Sequence, residues 1–515
     1  MRKFLGYVMK ILASRGLFLF TLGYFVFQSV WIALSAVYPQ AFDESFHFGI
    51  IKIYAAHWSP FLAKQPAGGN PYGALARDPS YLFHYLMSFP YRFFSLFTHN
   101  QTSLVICLRL IDVALLAISL VLFRQLLLKA KLSQTLTNIT LLIFTLIPIV
   151  PQLGAHINYD NLLMPLTAWT CLLTLKVVDD IRARQLNSRR LVLLAAVGFL
   201  ASIVKYAYLP IFVAIILFIL LVTIRQNQSA KDWKRSFHML GTSWLEQPAV
   251  IKILLIVALV ISFGMFFQRD VINLIDYDTV TPDCARILPE AACNEYSVWN
   301  ADNDWHTQLL KQDQGKQKIT FENPLIYFAS WLYWIWYRLF FAVNGPTSDY
   351  TNYPPLPIPS AVAGVLAIAG TILAIIWHHR IFKDPYLGFF LLASCLYLAA
   401  LLISGWQDYH YTNVLVDMNG RYLLPVLLLL GAIAARAFSI AFRNASSMRK
   451  TALAFVVILL FFQGGGFLTF VSRSDASWDW PNSTVVKAND AAREVTKPII
   501  LHTGKSYTTR YWFFN

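Results

Sequence analysis

Long apolar runs constrain the fold of this chain more than any other feature. They recur near residues 17–36, 104–123, 136–152, 160–177, 191–204, 207–224, 250–267, 356–377, 385–404, 421–440 and 452–471. A helix of about 20 apolar residues spans the roughly 30 Å hydrocarbon core of a bilayer. Inside that core every backbone N–H and C=O must be paired within the protein, which leaves only helices and closed barrels. Barrel strands read as short alternating segments, whereas these runs are continuous. Only 13% of the residues are charged and 57% are hydrophobic, about half the charge of a soluble domain. The chain reads as an all-α polytopic membrane protein with about eleven crossings.

The net charge of +15 would point to nucleic acid in a soluble protein. Here the basic residues gather in short loops, as the positive-inside rule requires, and no nucleic-acid partner is expected. The loops "FRQLLLKAKLSQ", "DIRARQLNSRR" and "RQNQSAKDWKRSFHM" fall inside on this count. The turns "PQLGAHINYDN" and "KYAYLP" fall outside. The N-terminal stretch is basic and then apolar from Leu17, too long for a signal-peptide core, and reads as an uncleaved first span with its N-terminus cytoplasmic. Two large outer loops follow from this topology, at about 38–103 and 268–355. Each carries an aromatic stretch expected to lie along the interface, "YLFHYLMSFPYRFFSLF" and "NPLIYFASWLYWIWYRLFFAVNG". Residues 1–471 then form one transmembrane domain and 472–515 an outer tail. No internal repeat and no Gly-rich phosphate loop is visible, which argues against ATP-driven transport.

Cys107, Cys171 and Cys395 sit in apolar runs and read as packing residues. Cys284 and Cys293 share one polar outer loop and are candidates for a disulfide. A zinc site there lacks two further ligands.

Ionisable groups near a membrane are costly and mark functional positions. Four groups stand out. "FDESFHFGIIKIYA" puts Asp43, Glu44 and His47 just beyond the first span. These acids can cap a helix, or one can take a proton from a hydroxyl. "AHINYDNLL" brings His156, Asn158, Asp160 and Asn161 to a turn on the same face. Lys205 ends a span and either snorkels to water or neutralises a phosphate. Arg421, after Gly420, opens a late span on the outer side, against the inside bias. Its partner is an anionic lipid or phosphate group, or an acid such as Asp417. Acids and cations thus converge on one face. A lipid-phosphate-linked sugar fits that convergence: cations stabilise the departing phosphate and a carboxylate deprotonates the acceptor hydroxyl.

These motifs resemble the GT-C superfamily of membrane glycosyltransferases, which includes the protein O-mannosyltransferases and the bacterial aminoarabinose transferase. The similarity is closer to a family of bacterial membrane proteins in that superfamily with Asp-Glu-x-x-His-Phe, Asn-x-Asp and Gly-Arg-Tyr-x-x-Pro motifs. Here these are Asp43, Glu44, His47 and Phe48; Asn158 and Asp160; and Gly420, Arg421, Tyr422 and Pro425. Phe42 and Tyr159 stand where that family has prolines. The resemblance implies an inverting transfer from a polyprenyl-phosphate sugar to a glycan, lipid or protein acceptor on the outer face of a bacterial inner membrane. Asp43 would be the base and Glu44 a second acid or an acceptor-positioning group. His47, His84, Asn158, Asp160, Lys205, Arg421 and Tyr422 form the expected substrate-binding set. The resemblance implies no cofactor, and a divalent ion on His47 and the two acids stays open. The rival readings are a transporter or flippase for lipid-linked glycans and an O-antigen polymerase or ligase.

Overall fold

The computed structural model describes residues 2–39, 43–314, 321–340, 357–415, 418–474, 476–498 and 500. The first part of the chain forms α1 Arg2–Ala13, α2 Arg15–Ser35, α3 Glu44–Ala55, α4 Leu82–Ser95, α5 Gln101–Lys129, α6 Gln134–Thr145, α7 Ile149–Gly154 and α8 Asp160–Arg182. There follow α9 Ser188–Val204, α10 Leu209–Gln226, α11 Ala230–Leu245, α12 Ala249–Phe266 and α13 Ile272–Tyr277. The second large loop holds α14 Glu290–Cys293, α15 Ser297–Gln314 and α16 Pro324–Phe340. The chain continues with α17 Pro357–Ile376, α18 His378–Ile381, α19 Pro385–Thr412, α20 Leu424–Ala441, α21 Ser447–Phe462, α22 Phe467–Arg473 and α23 Ser483–Thr496. No strand occurs among the described residues.

Nine helices among the described residues are long and apolar enough to cross a membrane. The chain is an all-α polytopic membrane protein. Two of the expected crossings take a different form. The run at 136–152 is broken into α6 and α7 between residues 146 and 148, where Pro148 cannot supply a helical N–H. The run at 191–204 becomes the 17-residue α9. Both still lead from one end of the bundle to the other.

The break in α6 leaves carbonyls inside the protein that need donors. Gln28 Nε2 donates to Thr145 O at 3.4 Å and the Gly466 N–H donates to Leu146 O at 2.6 Å. Gly466 has φ +61°, and a Cβ there would lie 2.1 Å from Gln28 Oε1. Only glycine allows this approach. "GGG" at 464–466 is therefore a packing device that ties α21 to α2 and α6.

Ion pairs define one end of the bundle. Asp179 near the end of α8 binds Lys129 at the end of α5 and Tyr386 at the start of α19, and Asp180 binds Arg190 at the start of α9. The three loops assigned inside by their Lys and Arg content are linked here, by Lys129 with Asp179 and by Arg184 with Asp232. At the opposite end the first and second large loops lie on one another. Asn70 donates to Glu295 Oε1 at 2.9 Å and Tyr296 stacks on Phe46 with ring centroids 6.0 Å apart. Cys284 and Cys293 are joined in a disulfide, Cα atoms 5.8 Å apart. The tail returns to the end of α2, where Ala36 bridges Asp479 and Trp31 Nε1 donates to Asn489.

Candidate functional site

The site lies at the end opposite the basic loops, where α3, the turn before α8, the end of α9 and the start of α20 meet. Asp43 occupies the N-cap position of α3 in a left-handed conformation, φ 57°. Its carbonyl accepts the His47 N–H at 3.0 Å, but its carboxylate makes no cap bond. Instead the carboxylate accepts from Arg421 Nη2 at 2.7 Å, with the Asp43 side chain 64% exposed and Arg421 buried. The capping alternative thus fails for the side chain of Asp43, which is aimed at the cation.

Arg421 Nε also approaches Asp160 Oδ2 at 3.9 Å, and Lys205 Nζ donates to Asp160 Oδ1 at 2.7 Å. Asp160 bridges the two cations. Lys205 is buried and lies 4.5 Å from the ring centre of Tyr159 and 4.7 Å from that of Tyr422. It does not snorkel to water. The Arg421 guanidinium lies 5.3 Å from the Tyr422 ring, and Tyr422 is fixed by Tyr397, whose hydroxyl donates to its carbonyl at 2.8 Å. Cation–π contacts of this kind gain strength when desolvated.

The turn that carries Asp160 is built by Asn158. Its Oδ1 accepts the Asp160 N–H at 2.9 Å, and its own N–H donates to Asp112 Oδ2 at 3.1 Å. Asn158 Nδ2 reaches His47 Nε2 at 3.0 Å, and His47 Nδ1 reaches His84 Nε2 at 2.8 Å. Because a backbone N–H can only donate, Asn158 Oδ1 is the acceptor and Nδ2 the donor. His47 Nε2 is then an acceptor, and the proton of His47 sits on Nδ1 facing His84. Burial, with His84, Arg421 and Lys205 nearby, holds His47 well below the usual imidazole range. Burial pushes His84 down to about 3 and His156 to about 4. All three imidazoles are neutral at pH 7.

Glu44 has a different setting. It is fully buried and accepts from Arg109 Nε at 2.7 Å and Nη2 at 2.6 Å. The Ile157 N–H donates to it at 3.2 Å. Arg109 also donates to the carbonyls of Ala33, Ala36 and Val37. Burial raises the Glu44 carboxyl, but Arg109, His156 and the Ile157 N–H outweigh it and hold the group below its ordinary value. Glu44 ties α3 to α2, α5 and the 156–158 turn.

Of the expected site residues, Asp43, Asp160, Lys205, Arg421 and Tyr422 converge on one cluster, and His47, His84 and Asn158 form a chain behind it. Both ring nitrogens of His47 and both oxygens of Glu44 are engaged, so the three groups proposed for a divalent ion do not gather. No set of three His, Cys, Asp or Glu side chains suited to a metal occurs among the described residues. Asp417 and Phe42 lie outside those residues. Sequence reasoning passed over Arg109 and Asp112, although "SLVICLRLIDVALL" carried two charges in an apolar run. It also treated Tyr159 as a mere departure. Its ring meets His47 edge-on at 4.7 Å as well as Lys205.

The aromatic stretch of the second loop is more than an interfacial belt. Tyr327, Trp331, Ile335, Tyr337 and Phe340 of α16 are buried, while Leu325, Ile326, Phe328 and Leu332 are exposed. A Cβ on Gly420 would lie 2.5 Å from Leu339 N and 2.7 Å from Arg338 C. The end of α16 therefore rests on the backbone of Gly420, beside Arg421. Arg338 Nη1 locks it there by donating to Met418 O at 2.8 Å.

No protein-family model matches the chain, and no curated protein matches it.

Proposed function

We propose that this protein is a membrane glycosyltransferase of the GT-C type, moving a sugar from a polyprenyl-phosphate donor to a hydroxyl acceptor. The observation that supports this reading best is a pair of buried cations, Lys205 held by Asp160 and Arg421 held by the largely exposed carboxylate of Asp43. A carboxylate at the edge of a cationic pocket suits a reaction in which an anion leaves and a neutral hydroxyl attacks.

The four charges of the cluster sum to zero. An incoming phosphate competes with Asp43 for Arg421 and releases the carboxylate. The acceptor oxygen attacks the anomeric carbon from the face away from the phosphate, giving inversion. As the C–O bond forms, the acceptor proton passes to Asp43. The anomeric C–O bond to phosphate breaks, and its electron pair leaves with the polyprenyl phosphate. Arg421 and Lys205 meet the charge that develops on that oxygen, where preorganised donors act most strongly. Asp160 holds the two cations in place, and Tyr159 and Tyr422 wall them from water. Glu44, bound by Arg109, positions the start of α3.

The test compares surface-glycan, lipid and protein modification by mass spectrometry in cells lacking the gene. The cells are complemented with wild type or with Asp43→Asn at matched expression. Loss of one defined sugar in both the null and the Asp43→Asn strain is expected. Full rescue by Asp43→Asn would remove Asp43 as the base. An unmodified lipid-linked precursor trapped on the inner leaflet of the null would favour a flippase instead.

A further inference from the structure

The helix α11 joins α10 to α12 at the basic end and has no buried residue. Its sequence, "AKDWKRSFHMLGTSWL", separates into three faces at 100° per residue. Trp233, Phe237, Leu240 and Trp244 fall on one stripe. Ser236 and Ser243 flank it, and both are tied to the bundle. Ser236 donates to Asn227 Oδ1 at 2.9 Å, and Ser243 Oγ accepts the Ser188 N–H at 3.2 Å. Lys234 borders the stripe on its other edge and Lys231, Arg235 and His238 lie opposite it, all four exposed. Asp232 is the only acid in the helix. It closes the capping box with Ser229 and pairs with Arg184 at 3.6 Å.

Trp233, Leu240 and Trp244 are half-buried along the edge of the bundle, and Phe237 at the centre of the stripe is open. Phe237 is 66% exposed and stacks on Trp233, with ring centroids 6.1 Å apart. A stripe of four large apolar residues opposite a cluster of cations is the pattern of a helix lying in a membrane interface. Both ends of α11 are joined to helices that qualify as spans, so the helix cannot move far from the bilayer surface. The serine flank fixes its rotation. The basic face favours an anionic headgroup layer over a neutral one.

We propose that α11 is an in-plane anchor that binds anionic phospholipid. Trp233, Phe237, Leu240 and Trp244 enter the acyl-chain boundary, and Lys231, Lys234 and Arg235 contact the lipid phosphates. The inference is independent of any transferase activity.

The experiment uses the full chain in nanodiscs, with a nitroxide on Phe237→Cys and with Cys107 and Cys395 changed to Ser. Cys171 is buried and Cys284 and Cys293 are bonded to each other. In nanodiscs of phosphatidylcholine with 30% phosphatidylglycerol, the label should collide with oxygen and be shielded from a nickel chelate. In phosphatidylcholine alone the nickel chelate should gain access. Adding Lys231→Gln, Lys234→Gln and Arg235→Gln should abolish the lipid dependence, with each charge worth about five-fold in the bound population. Nickel access in both lipids would overturn the anchor. Equal shielding in both lipids, or shielding unaffected by the triple substitution, would overturn the anionic recognition. A label reached by neither reagent would place a protein surface on the stripe and overturn the lipid assignment.

Discussion

Asp43 and Glu44 are adjacent, chemically alike and only one residue apart in their helical position, yet they belong to two different regions. Glu44 lies in a dry pair with Arg109, both side chains at 0% exposure. Asp43 lies at the rim of the Arg421, Asp160 and Lys205 cluster with most of its carboxylate in the open. The first arrangement satisfies both oxygens with fixed donors. The second leaves a carboxylate holding a single bond to a cation that another anion can claim. A charged residue next to a span can therefore be a rivet or a reagent, and its partners decide which.

The largest expected effect breaks the rivet. Removing one member of a buried ion pair strands the other, at a cost of about 3–5 kcal/mol. Glu44→Gln and Arg109→Met should each lower the thermal unfolding temperature in detergent markedly and reduce the yield of monodisperse protein. The sign of the pH dependence follows from the depressed Glu44 carboxyl. Its contribution is complete above the ordinary glutamate value and is lost as pH falls through the lowered, folded-state value. Unchanged unfolding in Glu44→Gln would erase the contrast between the two acids.

The next effect tests the reagent. Asp43→Asn removes the exposed member of its pair and leaves Arg421 beside Asp160, so its stability cost should be smaller than that of Glu44→Gln. On the proposed role of Asp43 as general base, the substitution should lower the proposed transfer by about 10²- to 10⁴-fold. The pairing of a near-native melting curve with lost transfer separates Asp43 from Glu44. A variant that lost both together would place Asp43 in the same structural class.

A third prediction concerns the imidazoles behind the cluster. His84 and His156 are held near 3 and 4 by burial, so the unfolded chain binds more protons than the folded one below the ordinary imidazole value. Stability is complete above about pH 6.5 and falls as the pH drops towards the folded-state values, by about 1.4 kcal/mol per unit for each group. His156 alone accounts for about 3 kcal/mol between pH 6.5 and 4. Unfolding curves across that range should steepen in acid, and His84→Gln should remove about one proton from the slope. A slope untouched by His84→Gln would mean that His84 titrates as an open side chain.

Which parts of this were legible in advance follows from what each feature depends on. The spans and the basic end come from local composition, and the hydropathy of the chain carried them. The convergence of Asp43, Lys205 and Arg421 came from counting topology, since each lay at the same end. The division of labour between Asp43 and Glu44 was not legible, because it depends on Arg109, 65 residues away, and on three backbone carbonyls near the end of α2. The chain from His84 to Asn158 was equally hidden: it joins three segments whose spacing in sequence carries no period. Tyr159 looked like a lost proline because its partners, His47 and Lys205, are remote in sequence.

The smallest expected effect sharpens the comparison at its roof. Gly420 precedes Arg421, and the backbone of α16 sits where a side chain would be. Gly420→Ala should cost about 1–3 kcal/mol as an overpacked contact. The displaced element is α16, held at Met418 by Arg338, and the Glu44–Arg109 pair lies outside that contact. The loss should therefore appear as a modest fall in unfolding temperature and a raised KM for the proposed lipid-phosphate donor, with no acid shift of the Glu44 kind. Gly420→Ala with native stability but impaired donor use would mean that α16 moves aside at little cost. It would then be a hinged cover over Arg421, where an equal loss of both would make it a fixed wall.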